Sequence, residues 1–349
     1  MHFESADFDF SRADTTVVIA EVGVNHNGDP ALARRMVDVA RDAGADVVKF
    51  QAFNSEKEIS RYAPKALYQE ENTGVDGNQL ELCKALELSG EALRSLKDYC
   101  AELRMPFLCT AFDTDSVDLL CGDLKVAAIK IGSAEVTNLP MLEYIGSKRI
   151  GAILSTGAST LAEVGAAVQA LRAGGCPELV LLHCVSNYPA PAEQANLRAM
   201  ATLRQAFGVP VGFSDHTAGI EVAIAAAALG ACAVEKHFTT DRNLPGPDHL
   251  ASVEPHELQA LVAGVRAANQ SLGDGVKAPV ACELRNLPLI RKSLVAARDL
   301  PAGTVLARDM VEIKRPQGGI EPGELARALG RRVKAFVPED KPIRWEDLA

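Results

Sequence analysis

The sequence predicts a (β/α)8 barrel followed by a small β-rich domain, and three observations indicate this fold class. Segments with helical spacing of their apolar residues, such as 31–45 and 161–175, separate short β-branched or apolar runs. The 349 residues are enough for one barrel of about 250 residues and a smaller second domain. The eight runs, in chain order, are VVIAEVG (17–23), DVVKFQ (46–51), FLCTAFD (107–113), AAIKIGSAE (127–135), AILSTG (152–157), LVLLHCVSNY (179–188), VGFSDH (211–216) and AVEKHF (233–238).

Each run is bounded by polar or turn-forming residues, which is typical of a short strand buried in a barrel. A helix beginning near Pro255 and ending near Leu272 completes the eighth strand–helix unit. Polar groups follow every run within a few residues. Because a barrel assembles its active site at the carboxyl ends of its strands, these groups are predicted to meet.

The predicted domains are a barrel over residues 1–280, a linker over 281–292 and a β-rich domain over 293–349. Small, turn-forming and polar residues dominate the sequence just before and within the linker. In the last domain, PAGTVLARDM (301–310) and PEDKPIRWED (338–347) form a weak internal repeat. A module of about 60 residues is near the lower limit for independent stability, so it is expected to dock onto something larger.

Composition excludes several classes of protein. The chain carries 36 basic and 46 acidic residues, a formal charge of −10, which argues against nucleic-acid and anionic-membrane binding. The eight cysteines form no CxxC pair and are expected to be reduced structural thiols. The sequence shows neither a signal peptide nor a run long enough to span a bilayer, so a soluble cytoplasmic protein is expected.

Two lysines indicate an anion site. Side chains alternate along a strand, so Lys49 and Gln51 face the barrel interior while Phe50 faces the helices. Lys130 is placed inward by the same argument. Since a buried unpaired charge is costly, the lysines either meet a phosphate and a carboxylate of one small ligand or pair with nearby glutamates. Hydroxyl groups that could complete an anion cradle are those of Ser133, Ser155 and Ser214.

Two histidines end adjacent strands and could share a divalent cation. His216 and His237 would leave open positions for a substrate oxygen or water, an arrangement that suits a Lewis acid more than a structural zinc. The alternative is two buried, hydrogen-bonded core histidines. The loop PGPDHLAS places Asp248 as a hydroxyl acceptor, or as part of a surface loop flanking a helix. For Asp215 and Glu235, the sequence does not distinguish orienting groups from buried structural partners.

With these residues in view, the chain resembles the N-acetylneuraminate synthase family, which makes bacterial sialic acids and related nonulosonic acids. The resemblance covers nearly the whole chain, and RKSLVAARDLPAGTVL (291–306) is similar to the antifreeze-like (SAF) domain attached to these synthases. The motifs that carry it are AEVGVNHNGD, GADVVKFQ, KIGSAE, ILSTG, LLHCVSNYPAP, GFSDHTAGIEV, EKHFTTDRNLPGPDH and KRPQGGIEP. The chain departs from the family pattern at Ala134, where glycine is usual, and at Ala111, where proline is common.

The resemblance implies condensation of phosphoenolpyruvate with the aldehyde of an open-chain N-acetylhexosamine to a nine-carbon 2-keto acid, with release of phosphate. His216 and His237 would bind manganese or magnesium, no organic cofactor is expected, and Glu135 is assigned the proton transfers around the attacking water. Residues implied to hold phosphoenolpyruvate are Lys49, Lys130, Ser133, Ser155, Asn187 and Ser214. Residues implied to contact the sugar are Glu21, Gln51, Tyr188 and Asp248, and Thr110 is included among the substrate-binding positions.

Arg315, in the KRP motif, is implied to reach the active site of a partner subunit, which makes a domain-swapped homodimer the expected assembly. Two other functions remain as alternatives. A phosphoenolpyruvate aldolase for a phosphorylated sugar would need a second basic cluster, and none stands near the strand ends. A non-catalytic sugar-binding barrel would be expected to have lost Lys49, Glu135 or a metal histidine. The sequence leaves open the acceptor sugar (sialic, legionaminic or pseudaminic type), the metal and the use of the product.

Overall fold

The computed structural model describes residues 1–3, 6–12, 15–65 and 78–349. The chain divides into two compact units, Met1–Gly273 and Asp274–Ala349. The division therefore lies before residue 280, where the sequence analysis ends the barrel domain. No helix among these residues is long and apolar enough to cross a membrane.

The first unit contains a closed barrel of eight parallel strands with helices around it, which confirms the predicted fold class. A two-stranded antiparallel ribbon, β1 (His2–Phe3) and β2 (Ala6–Asp7), precedes it. In the barrel each strand pairs with the next in sequence, and the eighth closes the ring by pairing with the first. The barrel strands are β3 (Val17–Glu21), β4 (Val47–Ala52), β5 (Phe107–Ala111), β6 (Ala128–Ile131), β7 (Gly151–Ser155), β8 (Leu179–Cys184), β9 (Val211–Asp215) and β10 (Ala233–His237).

Local signals set the ends of the helices. Asp29 caps the first helix by accepting a hydrogen bond from the amide of Ala31 at 2.8 Å, and Pro30 opens it. A capping box of Thr160 and Glu163 begins the helix after β7. The α-helices are α1 (Pro30–Asp42), α2 (Ser55–Glu58), α3 (Gln79–Lys84), α4 (Gly90–Glu102), α5 (Thr114–Asp118), α6 (Leu139–Ser147), α7 (Leu161–Gly174), α8 (Ala199–Phe207), α9 (Glu221–Ala228) and α10 (Pro255–Leu272) in the first unit, and α11 (Ala281–Leu284), α12 (Leu287–Ile290) and α13 (Leu325–Ala328) in the second.

Apolar residues form two layers in the barrel. Outward-facing strand residues such as Phe50 and Phe213 pack against the helices. A separate inner cluster fills the barrel near the amino ends of its strands, where Phe10 packs against residues such as Ile19 and Val47. Toward the carboxyl ends of the strands, the inward-facing residues are polar. On β4, for example, the inward-facing residue after Val47 is Lys49. The apolar inner layer therefore forms the base beneath a polar chamber.

The second unit has its own apolar core and a two-stranded antiparallel sheet of β11 (Ser293–Ala296) and β12 (Val311–Lys314). Its sequence repeat is visible in the backbone. Leu300 and Val337, each just before a repeat segment, exchange two hydrogen bonds of 2.8 and 3.0 Å. Both segments end in a 3-10 helix, at Arg308–Met310 and Trp345–Asp347. The domain is thus built from two similar halves that pair with each other.

Candidate active site

A cavity of about 320 Å³ opens at the carboxyl ends of the barrel strands. Its base carries four buried charged side chains, two acidic and two basic. The Nζ atom of Lys49 lies 2.9 Å from Oε1 of Glu235 and 3.4 Å from Oε2 of Glu21. The Nζ atom of Lys130 lies 3.9 Å from Oε2 of Glu235. Both lysines therefore line the chamber, and each has a glutamate partner, as the ion-pair interpretation predicts; the anion site stays a prediction.

Hydroxyl groups surround this charged base. Lys130 donates to Oγ of Ser155 at 2.7 Å, and Ser214 donates to Oε1 of Glu235 at 3.0 Å. The Oγ atom of Ser133 accepts from the amide of Gly157 at 2.9 Å. Two ammonium groups and three hydroxyls in one small chamber can bind a ligand that carries two anionic groups.

The electrostatics of the base favour such a ligand. Burial lowers the pKa of Lys130, and the neighbouring charge of Lys49 lowers it further. Burial opposes the charged form of Glu235, but Lys130 and Lys49 outweigh it and hold the pKa of Glu235 below its usual value. Burial raises the pKa of Glu21. An added anion would offset the mutual repulsion of the two lysines and keep both protonated.

The two predicted metal histidines lie side by side on the chamber wall, with ring centres 5.6 Å apart. Nδ1 of His216 donates to the carbonyl oxygen of Val185 at 2.7 Å, so Nε2 is the acceptor of the ring and lies 3.3 Å from Oγ of Ser214. Nδ1 of His237 is buried without a hydrogen bond and lies 3.9 Å from Oδ2 of Asp248. Burial lowers the pKa of both imidazoles, so they are neutral, the form that binds a metal ion.

The ring of Tyr188 covers His216 with ring centres 4.1 Å apart and meets His237 edge-on at 5.6 Å. In the described part of the chain, no three His, Cys, Asp or Glu side chains are grouped to hold a metal ion. A cation at the His216–His237 pair would therefore take its remaining ligands from substrate or water.

The outer wall of the cavity differs from its base. It comes mostly from the segment after β4, which contributes Ile59, Leu82 and Leu86 together with the polar Glu58 and Gln79. Burial raises the pKa of Glu58 to about 7, and the nearby charge of Glu135 adds to this effect. Lys49 and Lys130 of the base are the only lysines or arginines among the described residues that line the cavity.

Comparison with known proteins places this barrel among its relatives. The family model described as NeuB family matches residues 36–277, which is most of the chain. The chain belongs to the NeuB family. A SAF domain model matches residues 291–349, which confirms the predicted antifreeze-like domain.

Relatives of this NeuB family protein match it over most of both chains. It is 44% identical to the N,N'-diacetyllegionaminic acid synthase of Campylobacter jejuni, over 94% of this chain and 99% of the relative. It is 42% identical to the corresponding synthase of Legionella pneumophila, over 96% and 95%. Among solved structures, the N-acetylneuraminic acid synthetase of Leptospira borgpetersenii is 36% identical with a TM-score of 0.68, over 78% of this chain and 90% of that one.

In this NeuB family protein the structure brings most of the predicted site residues to one cavity. Asn187 and Glu135 are not among the residues that line it. The side chain of Asn187 is exposed and donates to the carbonyl of Pro189 at 2.6 Å. Arg315 belongs to the second compact unit. Glu135 follows the cavity-lining Ser133 by two residues, and its Oε2 accepts from Asn138 at 2.7 Å. The predicted residues that line the cavity are Glu21, Lys49, Gln51, Thr110, Lys130, Ser133, Ser155, Tyr188, Ser214, His216, His237 and Asp248.

The sequence analysis left the role of Glu235 open and missed the outer wall of the NeuB site. Glu235 stands two residues before His237 on β10, so the alternation of side chains already placed it inward. Its two lysine partners follow only from barrel closure. Glu58 and Gln79 lie on short helices after β4, where the sequence offered no strand pattern to place them.

Gly157 provides a test of the hydroxyl cradle in this NeuB site. A methyl group at this position would lie 2.2 Å from Oγ of Ser186, 2.8 Å from Sγ of Cys184 and 3.0 Å from Oγ of Ser133. We expect Gly157→Ala to weaken binding of an anionic substrate at least about tenfold, because Ser186 and the cradle residue Ser133 must move. Calorimetric titration measures the loss. Gly165→Ala is the matched control, since its added methyl would be 3.4 Å from the ring of Phe207.

Proposed function

We propose that this chain is a nonulosonic acid synthase that joins phosphoenolpyruvate to the aldehyde of an open-chain, unphosphorylated N-acetylhexosamine. Water is added and phosphate is released by C–O cleavage, which gives a nine-carbon 2-keto sugar acid. The observation that carries the proposal is the chamber base, where Lys49 and Lys130 stand with three serine hydroxyls beside a neutral histidine pair. The names of the two 42–44% identical synthases support it.

In this proposal the base residues hold the phosphate and carboxylate of phosphoenolpyruvate. Lys49 and Lys130 supply the charge, and Ser133, Ser155 and Ser214 supply the oriented donors. Carbon 3 of the enol then attacks the aldehyde carbon, and the positive character left at carbon 2 is captured by water. The tetrahedral product expels phosphate. The apolar layer beneath the base limits the entry of other water from the far end of the barrel.

His216 and His237 would hold a manganese or magnesium ion. The fit is chemical: both imidazoles are neutral, and the buried Nδ1 of His237 lacks a hydrogen bond. When bound, such an ion supplies Lewis-acid polarisation of the aldehyde oxygen. The side chains of Tyr188 and Asp248, which lie against the histidine pair, would orient the sugar at the same place.

The outer wall favours an unphosphorylated acceptor. Among the described residues of the outer wall, a second phosphate would meet the carboxylate of Glu58 and no lysine or arginine. The apolar groups of Ile59, Leu82 and Leu86 suit a methyl terminus better than a hydroxymethyl one. Among the sugars left open by the sequence, we therefore propose a 2,4-diacetamido-trideoxyhexose, of the legionaminic type, ahead of N-acetylmannosamine.

The test is phosphate release from phosphoenolpyruvate with manganese and a panel of sugars. The panel contains N-acetylmannosamine, its 6-phosphate and 2,4-diacetamido-2,4,6-trideoxyhexoses of different configuration. We expect the highest kcat/KM with a diacetamido-trideoxyhexose and the lowest with the phosphorylated sugar. Preference for the phosphate would favour the alternative aldolase function, and no release with any sugar would refute the synthase.

Glu135 is proposed to exchange protons with the attacking water. Burial raises the pKa of its carboxyl, a direction that suits proton transfer near neutral pH. We expect Glu135→Gln to lower kcat about 100-fold or more while phosphoenolpyruvate binding stays within about twofold. Glu58→Gln is the control, because Glu58 lines the cavity near Glu135 and has no assigned proton transfer. Single-turnover kinetics measures the rate of the chemical step in both variants. Equal rates for Glu135→Gln and wild type would remove Glu135 from the mechanism.

A domain-swapped homodimer in which Arg315 completes the site of the other copy is also proposed. Inactive His237→Ala and inactive Arg315→Ala chains, mixed and re-associated, should regain about a quarter of wild-type activity, because each mixed dimer has one intact site. This activity returns only if Arg315 of one subunit completes the active site of the other subunit. If Arg315 serves its own barrel, each mixed dimer contains no intact site and activity stays absent.

A further inference from the structure

A buried ion pair lies directly behind the two chamber histidines. Asp215 ends β9 and pairs in register with Lys236 on β10. The Nζ atom of Lys236 lies 2.8 Å from Oδ2 of Asp215, and both side chains are fully inaccessible to solvent. His216 follows the first of these residues and His237 follows the second. The pair therefore joins the two strand ends that carry the imidazoles.

Thr217 extends this pair into a closed network. Lys236 also donates to the carbonyl oxygen of Thr217 at 2.5 Å. In return, Oδ1 of Asp215 accepts from the amide of Thr217 at 2.9 Å and from its hydroxyl at 2.8 Å. His216 lies between two members of the network, so its backbone is held on both sides.

The network does not face the chamber. Alternation along β9 and β10 turns Asp215 and Lys236 toward the helices, while Ser214 and Glu235 line the cavity. Phe213, two residues before Asp215 on β9, lies on the same side of the strand and belongs to the apolar core. Replacing a buried ion pair by apolar side chains of similar volume commonly leaves a fold as stable or more stable. Here the pair also satisfies three buried polar groups of Thr217, so a role at the histidines must be measured by a quantity other than stability.

We propose that Asp215 and Lys236 are positioning residues that hold the imidazoles of His216 and His237 at the separation a divalent cation requires. This inference rests on the proposed metal role of the two histidines. Outer partners of metal ligands commonly change metal affinity by about 10- to 100-fold. Here they would act through the backbone, because the salt bridge fixes the two strand ends and Thr217 fixes the turn.

The test replaces the pair by apolar residues in the full chain, Asp215→Leu with Lys236→Met. Manganese affinity is measured by electron paramagnetic resonance of free Mn²⁺, without phosphoenolpyruvate or sugar, and stability is measured by thermal unfolding. We expect the unfolding midpoint to fall, because three buried polar groups of Thr217 lose their partners, and the Kd for Mn²⁺ to increase at least about tenfold. Thr217→Val is a milder second variant, which removes one donor to Asp215 and should raise the Kd about threefold.

The control is an ion pair at the other end of the barrel, where Arg266 lies 2.6 Å from Oδ1 of Asp46. Arg266→Met should lower the unfolding midpoint without changing the Kd for Mn²⁺. If Arg266→Met weakens Mn²⁺ binding as much as the double replacement does, affinity follows general stability and the inference is overturned.

Failure of the inference can be told from failure of the proposed function. If the wild-type chain binds Mn²⁺ through His237, but the double variant and Thr217→Val both keep the wild-type Kd, the inference is overturned and the metal role stands. Wild-type chain that does not bind Mn²⁺, or a His237→Ala variant with wild-type Kd, overturns the metal role and the inference with it.

Discussion

Lys49→Met should both destabilise the barrel and abolish phosphoenolpyruvate binding. Nζ of Lys49 lies 2.9 Å from Glu235 and 3.4 Å from Glu21, so its loss removes the lysine partner of Glu21 and leaves Glu235 with Lys130 at 3.9 Å. We expect the free energy of unfolding to fall by about 3–5 kcal/mol at neutral pH. The carboxyl groups of the variant would take up protons in the folded state, so the deficit should shrink at lower pH.

A second variant separates the two effects. Lys49→Met combined with Glu235→Gln restores charge balance, so much of the lost stability should return, while phosphoenolpyruvate binding stays at least about 100-fold weaker because an anion-binding ammonium is missing. Urea unfolding between pH 5 and pH 8 and calorimetric titration with phosphoenolpyruvate measure the two quantities. Restored binding in the double variant would show that Lys49 serves only as a counter-ion.

His237→Ala should remove both the metal dependence and the activity. The imidazole is one of two neutral nitrogen donors in the chamber, and a single remaining histidine would bind a divalent cation weakly. We expect kcat/KM to fall roughly 10³-fold, equivalent to about 4 kcal/mol of lost polarisation of the aldehyde. Steady-state kinetics with graded Mn²⁺ after treatment with chelator measures it.

His183 supplies the matched control. It also stands near the end of a barrel strand, but its Nε2 lies 2.8 Å from the carbonyl oxygen of Ala195 and its ring adjoins Phe213 on the helix side. His183→Ala should keep its response to Mn²⁺. A His237→Ala chain that stays active and indifferent to metal would rule out the proposed ion site.

Alternation along single strands explains how much of the site the sequence could predict. Once β4 is recognised, Lys49 and Gln51 must face inward and Phe50 outward, and the structure has them so. The same rule fails beyond the strand ends. Glu135 lies on a 3-10 turn and Asn187 on a loop, where no two-residue period sets the direction of a side chain.

Pairings between distant strands were also beyond the sequence. Glu235 contacts lysines on β4 and β6, and this choice of partners depends on barrel closure and tilt rather than on any local pattern. The outer wall was missed because α2 and α3 are short and carry no core-facing stripe long enough to read. The sequence therefore predicts the residues of the chamber base but not those of the outer wall.

The base and the outer wall of the cavity come from different parts of the fold, and this affects how the substrate specificity of such a protein can change. Most groups that would bind the enol phosphate lie on β-strands, whereas Ile59, Leu82 and Leu86 lie on the connection between β4 and β5, outside the barrel strands. Under the proposed function, substitutions in that connection would change which sugar is accepted and leave the residues of the carbon–carbon bond-forming step in place. Saturation libraries for new products are best confined to residues 53–59 and 78–86.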